Sequence, residues 1–148
     1  MSEDAPTRQL VVFSLGEEEY ALPIEAVHEI IRYTEPRSVA SSVEWIRGVI
    51  SLRGKIVPVY DLATRLGQTH NAEGDDQRII IVETATDMAG VVVDDVEEVL
   101  TIEPEQLEQV ASADGESIDA IAKIDDRLIV LLNAGGLFGD AVDVSAIA

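Results

Sequence analysis

His28 stands next to Glu29, a pairing that could serve as a general base with a carboxylate to orient its ring. A nucleophile for such a base is missing: the chain has no Cys, and no Ser lies in a nucleophile-elbow context. His28 therefore reads as a surface or rim histidine. Asp94-Asp95 and Glu97-Glu98 cluster hard oxygen donors that suit a divalent cation, but they lack the Asp, Asn, Gly and Glu spacing of a calcium loop. They read as a solvated charge run. With no Cys and two His in the chain, a thiol or zinc site is excluded. Gly115, Gly135 and Gly136 form neither a Walker loop nor a G-x-G-x-x-G after a strand, so phosphate cradling is unsupported. No catalytic residue, metal site or cofactor is expected, and the chain reads as a non-enzyme.

The residues that do stand out are basic, in a chain that is strongly acidic. Asp and Glu number 29 against 10 Lys and Arg, a formal net charge of -19, which disfavours nucleic acid and anionic headgroups as partners. Yet 47% of residues are hydrophobic, so the low-hydrophobicity half of the disorder signature is missing. From Arg32 to Arg65 six basic residues face three acids, a local net of +3; from Glu83 to Asp126 fourteen acids face only Lys123. The acidic excess suits a saline, halophilic cytoplasm, where screening removes self-repulsion. A basic patch kept inside such a chain marks a contact surface for an acidic partner.

The centre of that patch is Ile46-Arg-Gly-Val-Ile-Ser-Leu-Arg-Gly-Lys-Ile-Val-Pro-Val-Tyr-Asp-Leu62. Apolar runs on both sides of Arg53-Gly54-Lys55 predict a hairpin, with Gly54 supplying positive φ in the turn and Arg53 and Lys55 lifted to its tip. Pro58 has no N–H, so its strand is expected at an edge or interrupted there. Asp61 is placed to cap a short helix over Leu62–Leu66 that Gly67 ends. Ser41 or Ser42 is placed to cap a turn through Trp45.

Short Val, Ile and Leu runs dominate elsewhere: Leu10–Leu15, Glu19–Leu22, Arg78–Glu83, Gly90–Val93 and Arg127–Leu132. The chain also repeats itself. A shift of 69 lays Leu22–Ile31 on Val91–Leu100, with seven of ten pairs matched in character, and Leu10–Phe13 on Ile79–Val82. A shift of 72 lays Ile46–Leu62 on Ile118–Ala134 and Asp61 on Asn133. Three windows in the same order mean a duplication. Two copies of one strand-rich unit, each too small for a comfortable core, predict two small β-barrels sharing apolar surface, with the polar stretch Gln68–Gln77 between them. No apolar stretch is long enough to span a bilayer, no secretory signal is visible, and a cytoplasmic location is expected.

The motifs resemble the CheW family of chemotaxis adaptors. They are Phe13-Ser-Leu-Gly16, Glu19-Tyr-Ala-Leu-Pro23, Val27-His-Glu-Ile30, Ile46–Leu62, Ile79–Val82, Gly90–Val99 and Lys123–Leu132, covering Leu10 to Gly139. Ser51, Ala120 and Asn133 stand where the family more often has Asn, Gly and Asp; Ala120 puts a positive-φ turn there in doubt. The resemblance implies a mainly β fold of two packed, SH3-like five-stranded barrels with a few short helices. It spans 9–140 as one CheW-like domain, the first barrel about 15–77 and the second about 78–139, with exchange of the 10–15 strand allowed for and flexible termini at 1–8 and 140–148.

The same resemblance implies an adaptor that couples methyl-accepting receptors, through their cytoplasmic tips, to the regulatory domain of the histidine kinase CheA, recruited to receptor arrays without itself touching membrane. Arg53 is expected to pair with Glu29 near a receptor-binding groove between the barrels. Val27 and Gly48 are the candidates for an exposed apolar kinase contact. Gly54, Pro58 and Asp61 shape the hairpin and the turn after it. The rival readings are an adaptor of another CheA-type pathway, such as surface motility, and an acidic small-molecule or metal-binding module.

Overall fold

The computed structural model describes residues 7–39, 46–69, 76–84, 87–109 and 118–137. The strands are β1 (Arg8–Leu15), β2 (Glu18–Pro23), β3 (Val27–Arg32), β4 (Ile46–Leu52), β5 (Lys55–Tyr60), β6 (Arg78–Glu83), β7 (Met88–Val93), β8 (Asp95–Ile102), β9 (Leu107–Gln109), β10 (Ile118–Ile124) and β11 (Arg127–Leu132). Two short helices, α1 (Leu62–Leu66) and α2 (Ala134–Leu137), follow β5 and β11. Single 3-10 turns at Ile24–Ala26 and Pro104–Gln106 follow β2 and β8. The fold is mainly β, in two sheets, as expected. The predicted turn at Ser41 to Trp45 lies outside the described residues.

One sheet has the order β3-β6-β7-β5-β4 and the other β8-β1-β2-β11-β10-β9. Under the shifts of 69 and 72, β3, β6, β7, β5 and β4 correspond to β8, β1, β2, β11 and β10, so the two orders are one order written twice. Each half has exchanged its first hairpin with the other. The parallel junctions obey the same rule: Val59 lies opposite Gly90 where β5 meets β7, and Leu131 opposite Ala21 where β11 meets β2.

Sheet pairing therefore does not divide the chain at residues 77 and 78. The five-stranded sheet is built from residues 27 to 93, and the six-stranded sheet from 8 to 23 and 95 to 132. The 10–15 strand crosses over, taking β2 with it, and the Gln68–Gln77 stretch connects two elements of a single sheet. Residue 8, expected in a flexible terminus, begins β1 because Arg8 pairs with Ile102.

The exchange explains the composition of the strands. Phe13, Leu15, Tyr20 and Leu22 of one sheet pack with Tyr60, Ile80, Val82, Val91 and Val93 of the other in a shared layer. The opposite faces of these strands fill a second core in each sheet: Leu10, Val12, Ala21, Ile129 and Leu131 in one, and Val57, Val59, Ile79, Ile81 and Val92 in the other. Strands buried on both faces carry continuous apolar runs, which is why Arg78–Glu83 reads Arg-Ile-Ile-Ile-Val-Glu. β3, at the end of its sheet, alternates between half-buried and exposed residues instead.

Pro58 is not on an edge strand, since β5 lies between β7 and β4. Its pairing with β7 involves only Val59 and Tyr60, so the proline falls where that ladder is interrupted. Asp61 accepts from the Thr64 N–H and Gly67 ends α1 in the left-handed region, as the sequence predicts. Ala120 lies within β10, opposite Leu131 on one side and Gln109 on the other.

Asp94 departs from its reading as part of a solvated run: it is buried. Its carboxylate accepts the Gly16 N–H at 2.9 Å and its own N–H donates to the Ser14 carbonyl at 3.0 Å, pinning the exchanged β1–β2 hairpin to the end of β7. Replacing the buried Asp94 by Ala removes the acceptor of the half-buried Gly16 N–H and is expected to cost about 1–3 kcal/mol in chemical denaturation. An unchanged midpoint would show that the hairpin needs no such pin.

Candidate interaction site

The β4–β5 turn is two residues long, with Leu52 opposite Lys55 and both central residues at positive φ, Arg53 at 51° and Gly54 at 82°. That is the backbone requirement of a type I′ hairpin turn. Glycine meets it freely, whereas arginine seldom adopts it. The turn presents Arg53 to Glu29 as a two-pronged fork: Nη1 donates to Oε1 at 2.6 Å and Nη2 to Oε2 at 2.8 Å. The expected pair therefore forms.

The pair spans the seam of one sheet. β3 and β4 are the two ends of one strand order, so the pair ties opposite ends of the five-stranded sheet. The chain beyond β3 reinforces this, since Arg37 exchanges backbone hydrogen bonds with Val49 of β4 at 2.8 and 2.9 Å. In the other sheet the chain beyond β8 likewise returns as β9 beside β10.

That backbone exchange determines what Gly48 does. Gly48 is buried at φ 152°, and a Cβ there would lie 2.1 Å from the Arg37 carbonyl oxygen. Its role is to let two backbones meet, so it offers no exposed apolar contact. Val27 is half-buried against the layer shared by the sheets. The exposed apolar side chains near the ion pair are instead Ile30, next to Glu29, and Ile56, next to Lys55. The repeat carries both to exposed counterparts, Val99 and Leu128.

The Glu29 carboxyl is held below the usual carboxylate range by its hydrogen bonds from Arg53. Arg53 itself is 68% exposed in its side chain, so the pair sits at the surface and contributes little to stability. His28, the predicted rim histidine, is exposed, with Nδ1 3.2 Å from Glu83 and Nε2 3.7 Å from Glu29. The other hairpin cation, Lys55, lies 2.8 Å from Asp87 beside β7, and its hydrogen bond lowers the Asp87 carboxyl. Arg47 of the basic patch donates to the Tyr33 hydroxyl and lies 3.5 Å from Asp61. The acids that serve the basic patch thus come partly from outside its stretch of sequence. Among the described residues no group of three or more His, Asp or Glu is placed to hold a metal ion, and no helix is long and apolar enough to cross a membrane.

One ion-pair centre escaped the sequence reading. Arg127, just after the β10–β11 turn, bonds Glu19 and lies 2.8 Å from Glu98. The repeat carried the signal, since the shifts lay Glu29 on Glu98 and Lys55 on Arg127. Asp125 in that turn has φ 54°, matching Arg53.

A family model for the CheW-like domain matches residues 9–142. The chain belongs to the CheW-like domain family. The CheW match extends to a solved structure, the scaffolding protein TtCheW from Thermoanaerobacter tengcongensis. It superposes with a TM-score of 0.82 at 38% identity, over 93% of this chain and 92% of that one. The chemotaxis protein CheW of Klebsiella aerogenes is 34% identical over 89 residues, 60% of this chain and 54% of the relative. That of Bacillus subtilis is 34% identical over 87 residues, covering 59% and 56%. Protein PilI of Pseudomonas aeruginosa is 31% identical over 87 residues, covering 57% and 47%. The chain spans about half the length of the curated relatives it matches.

A depressed carboxyl adds stability above its unfolded value that is lost as pH falls through its folded value. Carboxyl NMR should therefore show Glu29 titrating below the other exposed glutamates in the wild type and returning to their range in Arg53→Ala. Identical titration in both proteins would mean the fork does not persist in solution.

Proposed function

We propose that the chain is a non-catalytic chemotaxis adaptor that couples the cytoplasmic tips of methyl-accepting receptors to the regulatory domain of a CheA histidine kinase. The observation that supports this best is the likeness along nearly the whole chain to a scaffolding protein of the same family. Such an adaptor works on the cytoplasmic face and is recruited to receptor arrays through its partners.

The hairpin supplies the receptor contact. In Arg53 the bonds to Glu29 use two of five N–H donors, and the side chain remains mostly exposed. Glu29 sets the direction of the fork, leaving donors for a carboxylate on a receptor helix. The apolar anchors for helix-in-groove recognition lie close by in sequence, at Ile30 and Ile56. The kinase contact is sheet against sheet on the same half of the molecule, with Val27 at the margin of its patch and Gly48 shaping the β4 backbone beneath it. Each contact is moderate alone and strengthened when many copies are tethered together.

A second reading is an adaptor of another CheA-type pathway such as surface motility, and the similarity to Protein PilI, a relative whose name does not mention chemotaxis, leaves room for it. Capture with each of the host's CheA-type kinases separates the two readings, because only the cognate kinase is retained.

The test of the site is a pull-down with the host's receptors and kinase at native salt, using Arg53→Glu, Glu29→Arg and the combined swap. Arg53→Glu is expected to abolish receptor capture with an unchanged unfolding midpoint, and the swap is expected not to restore it, because the partner reads the cation at position 53. Recovery in the swap would reduce the pair to a structural tie. Capture should also weaken as salt rises, and capture that strengthens would overturn electrostatic recognition at the hairpin.

A further inference from the structure

Arg127 gathers carboxylates from two other strands. Its Nε donates to Glu19 Oε1 at 3.2 Å and its Nη2 to Glu19 Oε2 at 2.9 Å. The same Nη2 lies 2.8 Å from Glu98 Oε2 and 3.9 Å from Glu97 Oε1. With all three acids ionised, the cluster has two more negative charges than its guanidinium balances, and Asp95 on β8 adds to them.

Glu97 is also the odd residue of a bulge. Val96 lies opposite Phe13 and Glu98 opposite Val12, leaving Glu97 without a place in the β1–β8 register. Its carboxyl and that of Glu19 converge on the same Arg127 Nη2, at 3.9 and 2.9 Å. Two ionised carboxylates are acceptors only and repel each other, and a proton on one of them turns that repulsion into a hydrogen bond. We propose that Glu97 and Glu19 share one proton beside Arg127, making the β8–β2–β11 corner a proton-loaded clasp whose hold on the end strand β8 weakens when the proton leaves.

The groups around the proton favour Glu97 as its holder. Glu19 is lowered chiefly by its hydrogen bond from Arg127, whereas Glu97 is pushed up to about 7 by its bond to Glu19, then by burial and by the charge of Glu19, with Asp95 adding and Arg127 opposing. The β1 residues flanking the bulge, Val12, Phe13 and Ser14, bring no acid or base. In the other sheet the equivalent bulge position, between Val27 and Glu29, holds His28. The clasp is thus a property of one half of the duplicated fold.

The linkage has a definite sign. Folded Glu97 keeps its proton where an unfolded glutamate has lost it, so the added stability is full below the ordinary glutamate range and is lost as pH rises through about 7.

Carboxyl-detected NMR of the full chain, together with thermal unfolding and amide exchange at pH values on either side of neutrality, tests the clasp. One glutamate signal should titrate near neutrality and disappear in Glu97→Gln, and in Glu19→Gln the Glu97 signal should return toward the ordinary range. Between mildly acidic and mildly alkaline pH the wild-type Tm should fall by a few degrees relative to Glu97→Gln. Amides of β8 should exchange faster than in that variant at the same alkaline pH. Glu97 titrating with the exposed glutamates, or a Tm difference and β8 exchange that do not change with pH, would overturn the proposal.

Discussion

The apolar layer between the two sheets, with Phe13, Leu15 and Leu22 from one and Ile80, Val82 and Val91 from the other, is the constraint from which the rest follows. A unit of some seventy residues buries too small a fraction of its surface to stand comfortably alone. Exchanging the first hairpin of each half solves this, because β1, β2, β6 and β7 then contribute one face to a sheet's own core and the other to the shared layer. The exchange also commits the junctions. A hairpin that leaves its own half must be fastened to the other, and Asp94 does so for β1–β2 by accepting the Gly16 N–H from a buried position.

Much of this was legible in residue patterns. The duplication came from apolar spacing, the β4–β5 turn from Arg53-Gly54 between apolar runs, and the α1 cap from Asp61 ahead of Leu62. The exchange was not, because a repeat states which segments are alike without stating which pair. Strands buried on both faces also lose the alternation that would show which way they face, as Ile79 to Val82 illustrate. The backbone part played by Gly48 was hidden for a related reason. Its importance depends on the carbonyl of Arg37, eleven residues earlier, and close backbone approach leaves no compositional trace.

The charge of -19 has a similar double character. Counted along the chain it divides into a basic segment and an acidic one, but ion pairs form across space. Glu29, Asp61 and Asp87 hold Arg53, Arg47 and Lys55, while the acidic half draws in Arg127 for Glu19 and Glu98. In each sheet a carboxylate of an end strand, Glu29 of β3 or Glu98 of β8, meets a cation at a hairpin tip. The duplication has therefore preserved an electrostatic plan along with the strand order.

Where the halves differ, that shared plan isolates what is particular to each. Arg53 and Asp125 occupy the same place in the same kind of turn, at φ 51° and 54°. Aspartate suits this conformation, since its short side chain bonds locally, whereas arginine gains nothing from it. A turn selected only for folding would carry Asp, Asn or Gly at both positions. Arginine at position 53 must then be maintained by what its guanidinium does. The tie to Glu29 is part of that, but a pair so exposed adds little to stability. The second half gets the same tie from Arg127, a residue outside the strained turn position. The backbone strain at Arg53 is thus unnecessary for closing the sheet, and this is the physical argument behind the partner contact proposed at the hairpin tip.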